Sequence, residues 1–384
     1  MKIKQQVDDF KVEELIDIKE SKEGDYTYFW LEKKNWNTTR AIKQISRKCG
    51  VSIKRFGWAG TKDKTGVTKQ LVSVWKIEPK ILKNIKLKDI EISIKGRGNK
   101  RINLGDLKAN RFNIVIRGLT DDNLSILENQ IKFVKKHGFP NYFGEQRFGR
   151  GNTHLVGKEI IKGRIQRAVK LILTYSSTES EEGKKARKFA EEKWGKWSEI
   201  IKIMPKWFHI EKAILNHLIQ HENDFAGAIR CLPKKTLKLY VHAYQSYFFN
   251  LILFKILSET SNNKKIKIKG LGVCFPLSKF KVPKELPLPG YETKLKSDAC
   301  SKILKSLLKK EEIELEDFKC KRTPELKSEG TKRETFVKPL KLKVGKMEKD
   351  ELNSKKKKIS LKFDLPSGSY ATVLIRSLFL EDLR

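Results

Sequence analysis

Apolar runs are short in this chain: Leu251-Ile252-Leu253-Phe254 stops at Lys255, and nothing approaches the roughly 20 residues that a membrane helix needs. The first residues are too polar for a signal peptide, so a cytoplasmic protein is expected. Cysteine is scarce as well. Cys49, Cys231, Cys274, Cys300 and Cys320 are odd in number, irregularly spaced and without a Cys-x-x-Cys pair, which argues against a disulfide framework or a zinc ribbon. His217 and His221 share a helical spacing, but no third ligand stands at a convincing spacing beside them, so no metal site is expected. The chain also has no Gly-x-x-x-x-Gly-Lys-Ser/Thr loop, no His-x-Glu with a Pro-Cys-x-x-Cys, and no Gly-x-Ser-x-Gly elbow. Gly149-Arg150-Gly151 begins like a dinucleotide fingerprint but lacks the third glycine. Chemistry built on a nucleotide cofactor, a metal or an activated serine is therefore not expected.

Negative charge is the other shortage. Asp and Glu number 46 against 83 Lys and Arg, leaving a net charge of +37 over 384 residues. Such an excess is costly in self-repulsion unless a polyanion is the usual partner, and nucleic acid is the leading candidate. An anionic membrane would want a lone basic amphipathic helix, which the sequence does not show. The length suits a core domain with one further domain.

What is present reads as strands around helices. Phe10 and Val12 mark a first strand, and residues 26–31 a second after the Gly24-Asp25 turn. Asn37 or Thr38 can cap a helix carrying Ile42, Ile45 and Cys49, stopped by Gly50. Residues 112–117 alternate as a half-buried strand, and a helix from Asp121 to His137 puts Leu124, Leu127, Ile131 and Val134 on one face. This mixed order predicts an α+β domain with a mixed, largely antiparallel sheet. From 152 to 260 the pattern is mainly helical, broken by a polar loop at 176–183, and a helix is expected from 296 to 310. Strands return after Thr335, and a last helix with Ala371, Leu374, Ile375 and Leu378 is expected to be capped by Ser367 or Ser369. Trp75, Trp194, Trp197 and Trp207 are expected mostly in the core.

The stretch Gly57-Trp58-Ala59-Gly60-Thr61-Lys62-Asp63-Lys64-Thr65-Gly66-Val67-Thr68-Lys69-Gln70 sets one carboxylate among cations and glycines. On spacing alone it is ordinary turn chemistry between two strands. Read chemically, Asp63 is a candidate nucleophile, with Lys62 and Lys64 expected to favour its ionised form. The wording of the segment resembles the Gly-x-Lys-Asp-x-x-x-Val-Thr-x-Gln signature of the TruD family of tRNA pseudouridine synthases. Val7-Asp8-Asp9-Phe10-Lys11-Val12-Glu13-Glu14, Lys34-Asn35-Trp36-Asn37-Thr38 and Asn110-Arg111-Phe112 follow the same family in order. So do Asn141-Tyr142-Phe143-Gly144-Glu145-Gln146-Arg147-Phe148-Gly149, Tyr244-Gln245-Ser246-Tyr247-Phe248-Phe249-Asn250 and Leu365-Pro366-Ser367-Gly368-Ser369-Tyr370-Ala371-Thr372. The resemblance runs nearly end to end and identifies the chain as an archaeal-like member.

It implies an isomerase that turns a uridine of tRNA, at position 13 for much of the family, into pseudouridine. It also implies a catalytic domain of residues 1–150 plus 337–384, of pseudouridine-synthase type, with an inserted α/β (TRUD) domain at 151–336. Asp63 would attack ribose C1′ or base C6, the N1-glycosidic bond would break, and the uracil would turn and rejoin through C5. The nucleotide must first be flipped from its stem. By the same resemblance Phe10, Asn110 and Tyr370 contact the target nucleotide, Phe112 lies close to the base, and Lys4 pairs with the aspartate. Tyr370 is a departure, since bacterial members carry Phe there. For the 141–149 segment, structural bracing is the expected role. A monomer acting on tRNA, with no cofactor, metal or membrane, is expected. A non-catalytic RNA-binding or ribosome-assembly protein on the same fold is the alternative.

Overall fold

The computed structural model describes residues 1–177, 180–260, 262–268, 271–278 and 280–383. The chain forms two compact units, one of residues 1–139 with 337–384 and one of residues 140–336.

In the first unit, β1 (Phe10–Ile16), β2 (Tyr26–Lys34), β3 (Phe56–Trp58), β4 (Val67–Trp75), β5 (Ile90–Gly98) and β6 (Leu107–Leu119) join three strands from the C-terminal part of the chain. The nine-stranded order is Leu340–Val344, Lys357–Pro366, β6, β1, β4, β2, β5, with β3 added to β4 and Glu348–Lys349 to Lys357–Pro366. Only β1 and β4 run parallel among the described pairs, so the sheet is mixed and largely antiparallel.

Register decides what the sheet presents. Lys33 stands opposite Thr68 and Leu31 opposite Gln70. Thr68 stands opposite Val12, Val12 opposite Phe112, Glu14 opposite Asn110, and Phe112 opposite Phe363. Because side chains alternate along a strand, these residues share one face, drawn from five strands and both ends of the chain. The same face carries the core. α1 (Thr38–Lys48) starts at Asn37, whose side chain accepts from Arg40 N at 3.1 Å, and it packs Ala41, Ile42 and Ile45 on Phe29, Leu31, Val72 and Val74. Burial of each large apolar side chain here contributes about 1.5–3 kcal/mol. The helix Asp121–His137 packs against the last helix, Ala371–Phe379. That last helix is not capped by Ser367 or Ser369: Tyr370 is its N-cap residue, while Ser367 N donates to Lys108 O and Ser369 N to Pro366 O.

The second unit is mainly helical around Lys234–Ser258, with two small ribbons, Asn263–Ile268 with Leu271–Pro276 and Glu285–Leu288 with Thr331–Glu334. Gly157 lets the helix Thr153–Ile161 approach this long helix closely, since a Cβ there would fall 2.0 Å from Tyr240 O. The expected polar loop at 176–183 is shorter than read. Ser180 caps a helix over Glu181–Glu192 by accepting from Gly183 N at 3.2 Å, and residues 178 and 179 lie outside the described ones. The helix expected at 296–310 spans Ala299–Glu311 because Asp298 caps it. Of the four tryptophans only Trp197 is buried; Trp207 is 55% exposed, and Trp75 lies on the surface with Arg55 and Lys76 over its ring. The two cations over Trp75 favour a cation–π surface over a core position for that ring. Among the described residues no helix is long and apolar enough to cross a membrane.

Candidate active site

Asp63 lies on the loop 59–66 between β3 and β4, and four hydrogen bonds hold that loop by its backbone. Gln70 Nε2 donates to Gly60 O at 3.2 Å, Lys62 N to Thr38 Oγ1 at 3.0 Å, Lys33 Nζ to Asp63 O at 2.8 Å, and Asn35 N to Gly66 O at 3.2 Å. Thr38 Oγ1 donates to Gln70 Oε1 at 3.0 Å, tying two of these anchors together. Three anchors come from the junction of β2 with α1 and one from β4. Gly66 has φ +132°, and a Cβ there would lie 2.6 Å from Phe10 O, so the loop closes directly on the start of β1.

The carboxylate itself meets Lys4, with Nζ 2.8 Å from Oδ2, and the Asp63 side chain keeps 29% exposure. Lys4 sits at φ +59°, a region that non-glycine residues rarely occupy and that costs on the order of 1 kcal/mol or more. Its ammonium also lies 3.9 Å from the Phe10 ring centroid. Phe10 meets Phe112 edge-on at 6.2 Å, and Phe112 stacks on Phe363 at 5.3 Å. The two expected stacking rings are well covered, Phe10 at 3% and Phe112 at 8% exposure.

Lys62 has a carboxylate partner of its own. Its Nζ lies 2.5 Å from Glu14 Oε1 on the covered face, while Glu14 Oε2 accepts from Leu71 N at 3.1 Å. Burial pushes the Glu14 carboxyl up, and the Lys62 ammonium works against that shift. The cation beneath the Asp63 backbone is instead Lys33, whose burial lowers its pKa to about 8 although Asp63 pulls the other way. Lys64 is exposed.

The N-terminal segment that brings Lys4 and Phe10 is fastened by Arg117. Its Nε and Nη2 donate to Asp9, Nη2 to Gln6 Oε1 at 3.2 Å, and Nη1 to Asp350 Oδ1 at 3.1 Å and Glu351 Oε1 at 2.9 Å. Asp350 Oδ2 accepts from Gly118 N at 2.8 Å, and these bonds hold its pKa below the ordinary carboxylate value. Lys2 closes the arrangement with a backbone bridge to Arg117.

Of the other expected residues, Asn110 is on the same face of β6 as Phe112, opposite Glu14 and Leu365, and its Oδ1 is buried with no hydrogen-bond partner among the described residues. Tyr370 follows the strand that carries Phe363 and Leu365; its carbonyl accepts from Val373 N and Leu374 N, and its side chain is half-buried. Lys33, Phe363 and the Glu14–Lys62 pair were not singled out from the sequence. Alternation held the signal for the first two: Phe29, Leu31 and Lys33 share a face, as do Leu361, Phe363 and Leu365.

Comparison with known proteins points the chain to one family. The family described as tRNA pseudouridine synthase D (TruD) matches residues 1–275 and 271–378. A Methanosarcina acetivorans protein named "Probable tRNA pseudouridine synthase D" is 37% identical over 416 aligned residues, covering 99% of this chain and 93% of its own. An Aquifex aeolicus protein named tRNA pseudouridine synthase D is 31% identical, covering 100% and 99%. A crystal structure assigned to tRNA pseudouridine synthase D of Methanosarcina mazei superposes with a TM-score of 0.74 at 33% identity, covering 99% of this chain and 94% of that one. With sequence and fold in agreement over nearly the whole length, the chain belongs to the tRNA pseudouridine synthase D family, a family of isomerases.

Proposed function

We propose that the protein isomerises a uridine of tRNA, the one at position 13, to pseudouridine, with Asp63 as nucleophile and no cofactor, acting as a monomer. The observation that carries this reading is a partly exposed carboxylate on a loop fixed at four backbone atoms, paired to Lys4 and beside a wall of phenylalanine rings. A nucleophile fixed before substrate arrives avoids the entropy of positioning it during reaction. Catalysis belongs to the first unit, and the second serves as the inserted RNA-binding TRUD domain.

The chain's own residues divide the work. Asp63 Oδ2 attacks the flipped nucleotide at C1′ or C6, the N1-glycosidic bond breaks, the uracil turns and bonds to C1′ through C5, and the bond to Asp63 breaks, with C5 losing a proton to solvent or a base and N1 taking one up. Lys4 holds the carboxylate until a nucleotide enters. A base stacking on the covered face of Phe10 takes the place of the Lys4 ammonium, so stacking and release of Asp63 are one event. Asn110 Oδ1, buried and without a partner, accepts the N3–H of the uracil, which removes an unsatisfied acceptor when substrate binds. Phe112 and Tyr370 complete the wall.

Tritium release from tRNA carrying [5-³H]uridine tests the reading. Release with the wild-type chain, accompanied by pseudouridine at position 13, is expected. Tight tRNA binding without release would favour the non-catalytic RNA-binding alternative.

A further inference from the structure

We propose that a pocket wholly inside the second unit binds a phosphodiester of the RNA substrate, an anchor separate from the groups that act on uridine; this rests on the tRNA reading above. The cavity has a volume of about 590 Å³, within the range that accommodates a nucleotide. It opens where two sequence motifs with no role in the chemistry meet. Arg147 Nε donates to Ser246 Oγ at 2.9 Å, and Asn250 exchanges two hydrogen bonds of 2.9 Å with the Phe143 backbone. Gln245, itself buried, donates from Nε2 to Pro289 O at 2.7 Å and Ser328 Oγ at 2.8 Å. These bonds hold the wall together, and those of Phe143 and Arg147 tie the 141–149 segment to the long helix.

The charge on that wall needs a ligand to explain it. Arg147, Lys234, Lys238 and Lys327 line the pocket with His242. Lys234, Lys238 and Lys327 form no ion pair among the described residues. The two acids present do not balance them: Glu325 is engaged with Arg230 Nε at 3.1 Å, and Glu329 accepts from Tyr291 Oη at 3.4 Å. Cations gathered on one concave surface repel each other and concentrate anions. His242 reports the same field. Partial desolvation of its ring in the pocket, then Arg147 and Lys238, hold its pKa below the ordinary imidazole value although the residue as a whole is exposed. A backbone phosphate supplies the missing charge, and three exposed lysines offer point contacts that do not read sequence.

The test replaces Lys234, Lys238 and Lys327 together by Ala, all exposed positions outside the proposed chemistry. Affinity for tRNA, measured by anisotropy from 0.05 to 0.3 M salt, is expected to weaken about tenfold or more at the lower salt. The slope of log K against log salt should fall by about 0.7–0.9, the amount for one phosphate no longer neutralised. The matching Lys→Arg triple variant should bind like the wild type, and turnover at saturating tRNA should be unchanged in both. Unchanged affinity and slope in the Ala variant would overturn the proposal. Micromolar binding of uridine 5′-monophosphate that the Ala variant loses, with tRNA affinity intact, would also overturn it by marking a free-nucleotide site. The binding arm does not depend on catalysis, so loss of the isomerase reading leaves this result interpretable.

Discussion

Asp63 is surrounded by cations in two ways that have different consequences. Lys4 touches the carboxylate from a partly exposed position, whereas Lys33 touches the loop carbonyl and is itself 1% exposed. Burying a cation costs stability, and the lowered pKa of Lys33 expresses that cost. Because its folded value of about 8 lies below the ordinary 10.5, the cost is full below pH 8 and disappears as pH rises through 10.5. Lys33→Met should therefore raise unfolding stability at pH 7 by about 1–2 kcal/mol, after allowing about 1 kcal/mol for the lost hydrogen bond. The gain should shrink at pH 10 in urea titrations. Turnover should fall about tenfold, because the Asp63 carbonyl loses its donor. An equally active variant would show that this bond does not position the loop. The rings give a second test at the same scale. Removing one stacked ring should cost about 1–3 kcal/mol of binding, a 5- to 150-fold loss of activity. Phe10→Ala should show it in kcat/KM, Tyr370→Phe should be mildest, and wild-type rates for both Phe10→Ala and Tyr370→Ala would return those aromatics to the core.

At the scale of elements, the site is assembled by register and by one buried fork. Arg117 joins the turn before β1 to the end of β6 and to the segment at 350. Arg117→Met should cost about 3–5 kcal/mol in denaturant unfolding, because Asp9 and Asp350 are left buried and unpaired. Asp350 adds a pH signature: its depressed pKa contributes stability above the ordinary value of 3.8 that is lost as pH falls below it. A loss under 1 kcal/mol would contradict this role. These same elements show what was legible beforehand. Alternation and capping signals revealed the first helix, the 121–137 helix and the strand around Phe112, since each follows from local periodicity. The expected cap of the last helix and the burial of Trp75 rest on local signs that tertiary hydrogen bonds and neighbouring cations override. Nothing in the spacing of residues 4, 10, 63 and 117 announces that they meet; only the family resemblance suggested part of it. The pairing of Lys62 was not legible because its partner, Glu14, belongs to a different strand and meets it only once the sheet has formed.

For the whole molecule, the proposed tRNA substrate and a net charge of +37 predict that phosphate contact is the main source of affinity. Log affinity should fall with log salt by about 0.7–0.9 for each phosphate neutralised, and salt-independent binding would contradict it. The proposed division, in which the charge brings the RNA and one carboxylate does the chemistry, is the central claim. It is tested most directly by Asp63→Asn, which keeps the side chain's shape and removes its nucleophilic charge. Single-turnover assays on labelled tRNA should show binding within a few fold of wild type and no pseudouridine. Measurable pseudouridine from the pure, folded variant would contradict the account and assign the reaction to another residue.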